Sequence, residues 1–226
     1  MPDDVAHPRP LLRLALLLVC AVLILLALNT LYAFTNTLHQ LDAVESERDQ
    51  WQRPSDVLGA LALRPENTVV DLGSGAGYFA MKLSPAVGEQ GQVLAVDLRR
   101  LSLFFLWTRT LLRGQHNVQV IAGEEDNPRL PTDAVDAVLI CNTYHEFNHP
   151  QLILNRVFGS LRPGGRLVVV DRAPRAAETQ PSHEVPLTAV EGQLRNQKFE
   201  IVRRDDSFVD RPGDNTWWML IARKPP

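Results

Sequence analysis

The feature that most constrains the fold is a glycine-rich segment, residues 69 to 80, which reads VVDLGSGAGYFA. An apolar run rich in β-branched residues ends at Asp71, and Gly73, Gly75 and Gly77 follow at every second position before a helical pattern begins. Glycines in this setting let the backbone turn sharply and approach a ligand beside the amide groups of a helix N-terminus. The segment therefore predicts a strand, a ligand-binding loop and a helix.

The rest of the chain repeats this order of strand and helix. Short apolar runs alternate with helical patterns, which is typical of βαβ units and of a parallel sheet covered on both faces. The expected strands are Thr68–Leu72, Gln92–Asp97, Asn117–Ile121, Val135–Cys141, Arg166–Asp171, Phe199–Arg204 and Trp217–Arg223, and the expected helices are Tyr78–Leu83, Leu101–Arg113, Pro150–Leu161 and Ser182–Asn196. The pattern predicts a doubly wound α/β domain.

The first two expected strands carry an aspartate at or next to their carboxyl ends, Asp71 and Asp97. Asp97 closes the strand about 20 residues after the glycine loop, where a carboxylate can accept hydrogen bonds from both hydroxyls of a ribose. Taken alone, such an aspartate is more often a helix cap than a ligand-binding group. Asp71 suits a cationic amino acid better than a pyrophosphate, and Tyr78 stands where a dinucleotide site has its final glycine. A nucleotide-dependent oxidoreductase is therefore the less favoured alternative.

Taken in order, several motifs resemble those of class I (Rossmann-like) S-adenosylmethionine-dependent methyltransferases. The motifs are DLGSGAG, AVDL, GEEDNPRLP, DAVLICNTYHEF and LRPGGRLVVVD. The resemblance covers roughly residues 44 to 224 and is strongest to the small-molecule branch that includes quinone-biosynthesis and arsenite methyltransferases. It implies S-adenosylmethionine as the cofactor and a mostly parallel seven-stranded sheet of order 3-2-1-4-5-7-6, with the last strand antiparallel.

The same resemblance implies roles for individual residues. Asp71 and the three loop glycines would hold the methionine part of the cofactor, and Asp97 would hold its ribose. Glu124, just after the third strand, would face the adenine amine, although the adjacent Glu125 leaves that register open by one residue. Asn142, at the end of the fourth strand, would face the methyl-donor pocket.

Candidate catalytic residues follow the fourth strand, where an acceptor should enter. Tyr144 and His145 lie there, and His183 is a candidate with less support. Methyl transfer is an in-line displacement in which positioning supplies most of the acceleration. A base is needed only if the acceptor loses a proton, and the unperturbed pKa of a histidine suits that task. Alternatively, His145 caps the next helix or packs against the sheet, since a lone histidine is weak evidence for catalysis. The histidines and cysteines lack zinc-type spacing, so no metal is expected.

The N-terminal part has a different composition. Leu14 to Leu28 is an unbroken apolar run, and no Lys, Arg, Asp or Glu occurs at positions 14 to 41. As a helix, Leu14 to Phe34 would be about 31 Å long, which is enough to cross a hydrocarbon core. We expect an uncleaved single-pass anchor. A cleaved signal peptide fits less well, because a cut after Ala33 would place the bulky Leu31 three positions upstream.

The expected organisation is a short flank (residues 1–13), a transmembrane helix (14–34), a connector with a lead-in helix (35–54) and a methyltransferase domain (55–226). Two arguments about topology conflict. Basic residues close to the start of the span favour a cytoplasmic N-terminus and an exported domain. A methyl donor that is made in the cytosol favours a cytoplasmic catalytic domain, which is the arrangement we expect.

The helix expected at Leu101–Arg113 is unusually apolar for a helix that covers a sheet. A position in the core is the default interpretation. Alternatively, Phe104, Phe105 and Trp107 partly face lipid while the neighbouring arginines meet headgroups. The formal net charge of −3 and the scattered basic residues give no argument for nucleic-acid binding.

The sequence therefore predicts an S-adenosylmethionine-dependent methyltransferase that acts on a small molecule, with a lipid-soluble acceptor at a membrane as the candidate that the N-terminal helix suggests. An alternative from another class is a non-catalytic S-adenosylmethionine-binding module or membrane-tethered scaffold with the same fold.

Overall fold

A computed structural model describes residues 10–174, 184–211, 213–214 and 216–226. His183 lies outside the described residues. The chain divides into two compact units, Met1–Val44 and Glu45–Pro226. Helix α1, Pro10–Trp51, forms the described part of the first unit and contributes its last turns to the second. The stretch expected as a connector is thus helical and continuous with the apolar run before it.

The described part of the first unit is a helix, and its N-terminal half has apolar side chains around its whole circumference. Its leucines, isoleucine and valines are exposed from Leu12 to Leu31. Helices that are apolar all round belong in a protein core or in a membrane. Among the residues that the structure describes, Leu12–Trp51 is the one helix long and apolar enough to cross a membrane, and its apolar window is not buried within the protein. Its length and composition fit a membrane span or a signal sequence.

The second unit is an α/β domain. Its helices are α2 (Pro54–Leu61), α3 (Tyr78–Val87), α4 (Arg100–Leu112), α5 (Pro150–Ser160) and α6 (Leu187–Asn196), with a 3-10 turn at Tyr144–Glu146. Its strands are β1 (Thr68–Leu72), β2 (Gln92–Asp97), β3 (Val118–Ala122), β4 (Val135–Cys141), β5 (Leu161–Arg172), β6 (Glu200–Asp205) and β7 (Trp217–Arg223). Every expected strand is present.

The strands form one sheet in the order β3-β2-β1-β4-β5-β7-β6, as expected. Strands β1 to β5 pair in parallel, and β7 is antiparallel to both β5 and β6. The carboxyl ends of β1, β2, β4 and β5 therefore meet at one edge. The chain moves outward in opposite directions from β1 and β4, and ligands of doubly wound sheets bind in the crevice at such a switch point.

Strand β5 is longer than its sequence pattern predicts. It starts at Leu161 instead of Arg166: Leu161 pairs with Val135 of β4, and regular pairing resumes at Arg166 opposite Ala137 after an irregularity. The amide of Gly164 donates to the carbonyl of Lys224, and the amide of Lys224 donates to Gly165. These bonds tie the early part of β5 to the chain end beyond β7.

Two apolar clusters cover the two faces of the sheet. One contains side chains of α2, α3 and α4, and the other contains side chains of α5 and α6. The neighbouring Trp217 and Trp218 are both buried, one in each cluster, because successive side chains of a strand point to opposite faces. The central strands β1, β2, β4, β5 and β7 are therefore covered on both faces, whereas the edge strands β3 and β6 are partly exposed.

Candidate functional site

The glycine loop joins β1 to α3 at the switch point. Gly73, Gly75 and Gly77 all have positive φ, at 81°, 53° and 95°. The amide of Gly73 donates to the carbonyl of Val96 at the end of β2. A Cβ atom at Gly73 would lie 2.2 Å from the Thr143 side chain, so no other residue fits there without movement. The loop backbone therefore packs directly against the segment that follows β4.

Asp97 is buried at the end of β2 and fixes this loop. Its Oδ2 accepts a hydrogen bond from the amide of Gly75 at 2.8 Å, and its Oδ1 accepts one from the amide of Arg99 at 2.8 Å. A carboxylate has about four acceptor positions. The Arg99 guanidinium also donates to Oδ1 at 3.4 Å, so the open acceptor position of Asp97 lies on Oδ2, where it suits a ribose hydroxyl.

Asp71 is buried at the end of β1. Its Oδ2 has no hydrogen-bond partner among the described residues. Burial raises the pKa of Asp71 to about 7, against the hydrogen bond from the Ala80 amide and the charge of Arg48, which lower it. A buried carboxylate with an open oxygen is costly for a protein to keep. It is therefore suited to a ligand that brings a positive charge or a hydrogen-bond donor.

A cavity of about 210 Å³ opens beside Asp97. Its lining comes from the ends of β1, β2 and β3 and from the segment after β4. Glu124 and Glu125 both line it. Glu124 pairs with Arg129, while Glu125 accepts a hydrogen bond from Asn148. Both candidates for the adenine position thus lie at the same cavity, and both carry a partner already.

Asn142 is the first residue after β4 and directly precedes Thr143, which packs against the glycine loop. Its φ is 55°, in the left-handed region, and its amide donates to the carbonyl of Val170 at 2.7 Å. Its Oδ1 is buried and accepts no hydrogen bond from the part of the chain that the structure describes. Asn142 thus provides a second open oxygen at the carboxyl edge, one strand away from Asp71.

The last turns of α1 also pack at this edge, which the sequence pattern did not indicate. Arg48 lies over the Tyr78 ring, 3.8 Å from its centroid, and donates to the Gln52 side chain at 2.6 Å. Gln52 is buried and donates to the Cys141 thiol at 3.1 Å. The sequence pattern predicts residues 35–54 only as a connector with a lead-in helix, because Tyr78 and Cys141 lie in remote parts of the sequence.

A buried arginine supports the loop from α4. Arg109 donates to the carbonyl of Ala76 at 2.7 Å and pairs with Glu45. Glu45 and Asp49 also lie within 3.5 Å and 2.8 Å of the Lys82 ammonium. This network fixes α3, α4 and the end of α1 around the glycine loop.

His145 and Asp171 form a hydrogen-bonded pair after β4 and β5. The His145 Nδ1 lies 2.8 Å from Oδ1 of Asp171, and the His145 amide donates to Oδ2 at 3.2 Å. Asp171 is fully buried. The hydrogen bond to Asp171 raises the pKa of His145 above its ordinary value, while desolvation opposes the shift. The sequence pattern does not identify Asp171 as the partner of His145, although Asp171 lies at the end of an expected strand, as Asp97 does.

Tyr144 does not contribute its side chain to the His145–Asp171 pair. Its side chain is buried in the cluster that contains α5 and α6, and its ring packs against Phe147. Its hydroxyl donates to the Gln193 side chain, and burial raises its pKa above the usual range. The geometry gives Tyr144 a packing role, because the 3-10 turn directs it to the core while its neighbour His145 meets Asp171.

The sheet order, the glycine loop and the aspartate at the end of β2 together define the class I methyltransferase fold. A model of the methyltransferase domain family matches residues 63–207, which is well over half of the chain. The chain therefore belongs to the methyltransferase family, and S-adenosylmethionine is the cofactor that this family assignment implies.

Similar proteins include two ubiquinone/menaquinone biosynthesis C-methyltransferases named UbiE. That of Ectopseudomonas mendocina is 30% identical over 122 residues, covering 54% of this chain and 47% of the relative. That of Vibrio campbellii is 33% identical over 126 residues, covering 54% and 46%. The chain thus spans about half the length of these relatives. A solved structure of an S-adenosylmethionine-dependent methyltransferase from Aquifex aeolicus matches with a TM-score of 0.66 and 26% identity, covering 76% of this chain and 89% of that one.

Proposed function

We propose that this protein transfers a methyl group from S-adenosylmethionine to a small, lipophilic acceptor at a membrane surface. The observation that carries the proposal is the buried Asp71 carboxylate, whose Oδ2 has no partner among the described residues, beside the glycine loop. A cationic ligand would satisfy that oxygen and offset the cost of burying the charge. The residues at this edge thus fit the cofactor of the family.

Each part of the site would have its own task. Asp71 and the loop backbone would hold the methionine part, Asp97 the ribose, and Glu124 or Glu125 the adenine amine. The open Oδ1 of Asn142 would face the pocket of the methyl donor. When bound, the cofactor supplies an electrophilic methyl group on a sulfonium. What the protein adds is orientation of the two reactants, which supplies much of the acceleration in such a displacement.

The UbiE relatives support a small-molecule acceptor, and their printed names point to quinone biosynthesis. We extend that class to this chain as a proposal. An acceptor of this kind partitions into lipid, so an enzyme that acts on it gains from being held at a membrane. The apolar part of α1 would supply that attachment as a single-pass anchor.

The first experiment is isotopic. Cells that express the full chain are given methionine with a labelled methyl group, and their metabolites and lipids are profiled. We expect a labelled, apolar product that disappears with Asp71→Asn, which removes the charge and keeps the shape. Donor binding without any labelled product in cells or lysate would favour a non-catalytic binding module.

The outer side of α4 offers a second contact with lipid. Leu103 and Leu106 are buried on its inner side, as the core interpretation requires, whereas Leu101, Trp107 and Leu112 are exposed at 69%, 51% and 70%. The exposed arginines 99 and 100 flank this side at its N-terminal end. Exposed apolar and aromatic residues next to arginines suit the interface of an anionic bilayer. We therefore include this side of α4 in the proposed membrane contact.

Flotation with anionic vesicles tests this contact. A chain that lacks residues 1–40 keeps Glu45 to Pro226, the whole second unit, and is expected to bind both S-adenosylmethionine and the vesicles. Trp107→Glu should abolish flotation and leave donor binding intact. The matched control is Leu152→Glu, which alters an equally exposed leucine on α5. Equal flotation of both variants would restrict the membrane contact to α1.

The topology that we propose places the second unit in the cytoplasm, where the donor is made. The full chain should remain in the membrane fraction after alkaline carbonate and high salt, since burial of some twenty apolar residues is not an electrostatic attachment. A fluorescent reporter at the C-terminus should be active. Strong alkaline phosphatase activity from the same fusion position, without fluorescence, would contradict the proposed topology.

A further inference from the structure

We infer that Arg48, in the last turns of α1, binds the carboxylate of the donor's amino-acid end, that Asp71 binds the ammonium beside it, and that Gln52 is the positioning residue of Arg48. The inference rests on the proposed methyl transfer from S-adenosylmethionine and adds the end of α1 to the donor site. The amino-acid end of that donor is a zwitterion, so a site for it needs one cation and one anion close together.

Asp71 faces the side of the sheet on which the last turns of α1 pack. Its neighbours Val69 and Val70 are buried in different clusters, because successive side chains of a strand point to opposite faces. Asp71 is two residues from Val69 and therefore shares the face that α2, α3 and α4 cover. Trp51, the last residue of α1, packs against the cluster on that face. The end of α1 and the Asp71 carboxylate thus lie on one side of the sheet.

Gln52 attaches the end of α1 to β4. It is buried and donates to the Cys141 thiol at 3.1 Å. Cys141 follows Ile140, which is in register with Leu72 of β1, so Cys141 lies level with the start of the glycine loop. The Oε1 atom of Gln52 accepts the hydrogen bond from Nε of Arg48 at 2.6 Å. One buried side chain therefore fixes the guanidinium relative to the carboxyl ends of β1 and β4.

The Arg48 guanidinium is held in place without being neutralised. It lies 3.8 Å from the ring centroid of Tyr78, the first residue of α3 after the glycine loop. The nearby Lys82 and Arg109 each pair with a carboxylate. Arg48 makes no ion pair within the part of the chain that the structure describes, and its hydrogen bond to Gln52 uses Nε. The N–H groups of both terminal nitrogens therefore remain for a ligand.

The charge of Arg48 reaches Asp71. Burial raises the pKa of Asp71 and the nearby Asp97 adds to this, whereas the hydrogen bond from the Ala80 amide and the charge of Arg48 lower it. Arg48 and Asp71 nevertheless form no ion pair with each other, and Oδ2 of Asp71 has no hydrogen-bond partner among the described residues. An anion and a cation that are near each other without contact leave room for a zwitterion between them.

The chemistry of the two side chains fits the two charges of an α-amino acid. A guanidinium binds a carboxylate through two parallel hydrogen bonds, which are short and charge-assisted. A carboxylate with an open oxygen accepts a hydrogen bond from an ammonium group. Since an α-amino acid carries both of its charged groups on one carbon, Arg48 and Asp71 can bind them at the same time.

Three thioethers without a sulfonium charge test the inference by titration calorimetry on the full chain in detergent. They are S-adenosylhomocysteine, the aminopropyl thioether of thioadenosine, which lacks the carboxyl group, and the carboxypropyl thioether, which lacks the amino group.

Arg48→Met should weaken binding of S-adenosylhomocysteine about 10- to 100-fold through the loss of charge-assisted hydrogen bonds. It should leave the affinity for the aminopropyl thioether unchanged or raise it, because an unpaired guanidinium repels an ammonium. Asp71→Asn should weaken S-adenosylhomocysteine and spare the carboxypropyl thioether. Gln52→Leu, which releases the guanidinium, should weaken S-adenosylhomocysteine and spare the aminopropyl thioether. The control is Arg195→Met, at an exposed arginine of α6 that pairs with Glu191, and it should change none of the three affinities.

A purely structural role of Arg48 would change all three affinities together. Equal weakening of the three thioethers by Arg48→Met, or an unchanged affinity for S-adenosylhomocysteine, would overturn the inference, and an unchanged affinity in Gln52→Leu would overturn the positioning role. If Arg48→Met does not fold, Arg48→Lys provides the test. It keeps the charge and loses the planar fork, so it should weaken S-adenosylhomocysteine and spare the aminopropyl thioether. An unaltered chain that binds neither S-adenosylmethionine nor S-adenosylhomocysteine would instead contradict the proposed function itself.

Discussion

The two halves of the carboxyl edge are built by different means. At β1 and β2 the site combines the carboxylates of Asp71 and Asp97 with a backbone loop of glycines with positive φ, which Asp97 and the end of β2 fix. At β4 and β5 it consists of side chains, and its central contact joins His145 to Asp171, 26 residues further along the chain. The geometry of the first half depends on the backbone conformations that the loop residues can adopt. The geometry of the second half depends on which strands are neighbours in the sheet.

This difference predicts how each half responds to substitution. Where the site is formed by the glycine loop, any side chain added at a loop glycine should weaken donor binding, whatever the chemistry of that side chain. A side-chain-built site should keep its shape and lose only the step that the altered group performs. The predictions below are arranged from the largest expected effect on donor binding to the smallest.

Gly73→Ala should weaken binding of S-adenosylmethionine by about 100-fold or more, because the new Cβ would lie 2.2 Å from Thr143 and the backbone would be strained at a φ of 81°. Titration calorimetry on the full chain measures the affinity. Gly114→Ala is the matched control, since its φ is 64° and its Cβ would meet no described atom within 4 Å. Thr143→Ala in the Gly73→Ala chain should restore part of the affinity. An affinity within twofold of the unaltered protein would show that the loop accommodates side chains.

Asp97→Ala should weaken donor binding by roughly 1.5–3 kcal/mol, about 10- to 100-fold, through the loss of charge-assisted hydrogen bonds. Asp136→Ala is the control, because Asp136 accepts a hydrogen bond from the Thr68 amide at 2.7 Å and pairs with Arg162 at the opposite edge of the sheet. Calorimetry should find donor affinity unchanged in the control. If both variants bind equally well, Asp97 only fixes the loop.

Donor affinity should rise about tenfold between pH 6 and pH 8 because the pKa of Asp71 is about 7 in the donor-free protein. A bound cation favours the carboxylate and lowers its pKa, so binding near neutral pH releases a proton and is weaker below pH 7. Calorimetry in two buffers with different ionisation enthalpies detects this proton. The effect should be absent in Asp71→Asn. A pH-independent affinity in the unaltered protein would mean that Asp71 does not face the positive charge of the donor.

Much of the donor half could be predicted from the sequence alone. Asp71, the glycine loop and Asp97 lie within 27 residues of each other, and their spacing follows from one strand, one turn and one further βα unit. The strand order came from the ordered motifs, and the α/β class came from the alternation of apolar runs with helical patterns. These features are local, and the backbone preferences of a short segment are determined by the residues of that segment.

The acceptor half was decided by the tertiary structure. The local sequence around Tyr144 and His145 does not determine which of the two side chains enters the core. That depends on the orientation of the 3-10 turn at the end of β4. Likewise, Asp171 becomes the partner of His145 only because β4 and β5 pair in parallel with their carboxyl ends together. The contact of Gln52 with Cys141 joins residues 89 positions apart. Side-chain contacts of this kind are set by packing over the whole sheet, so the sequence determined the residues and the fold determined their partners.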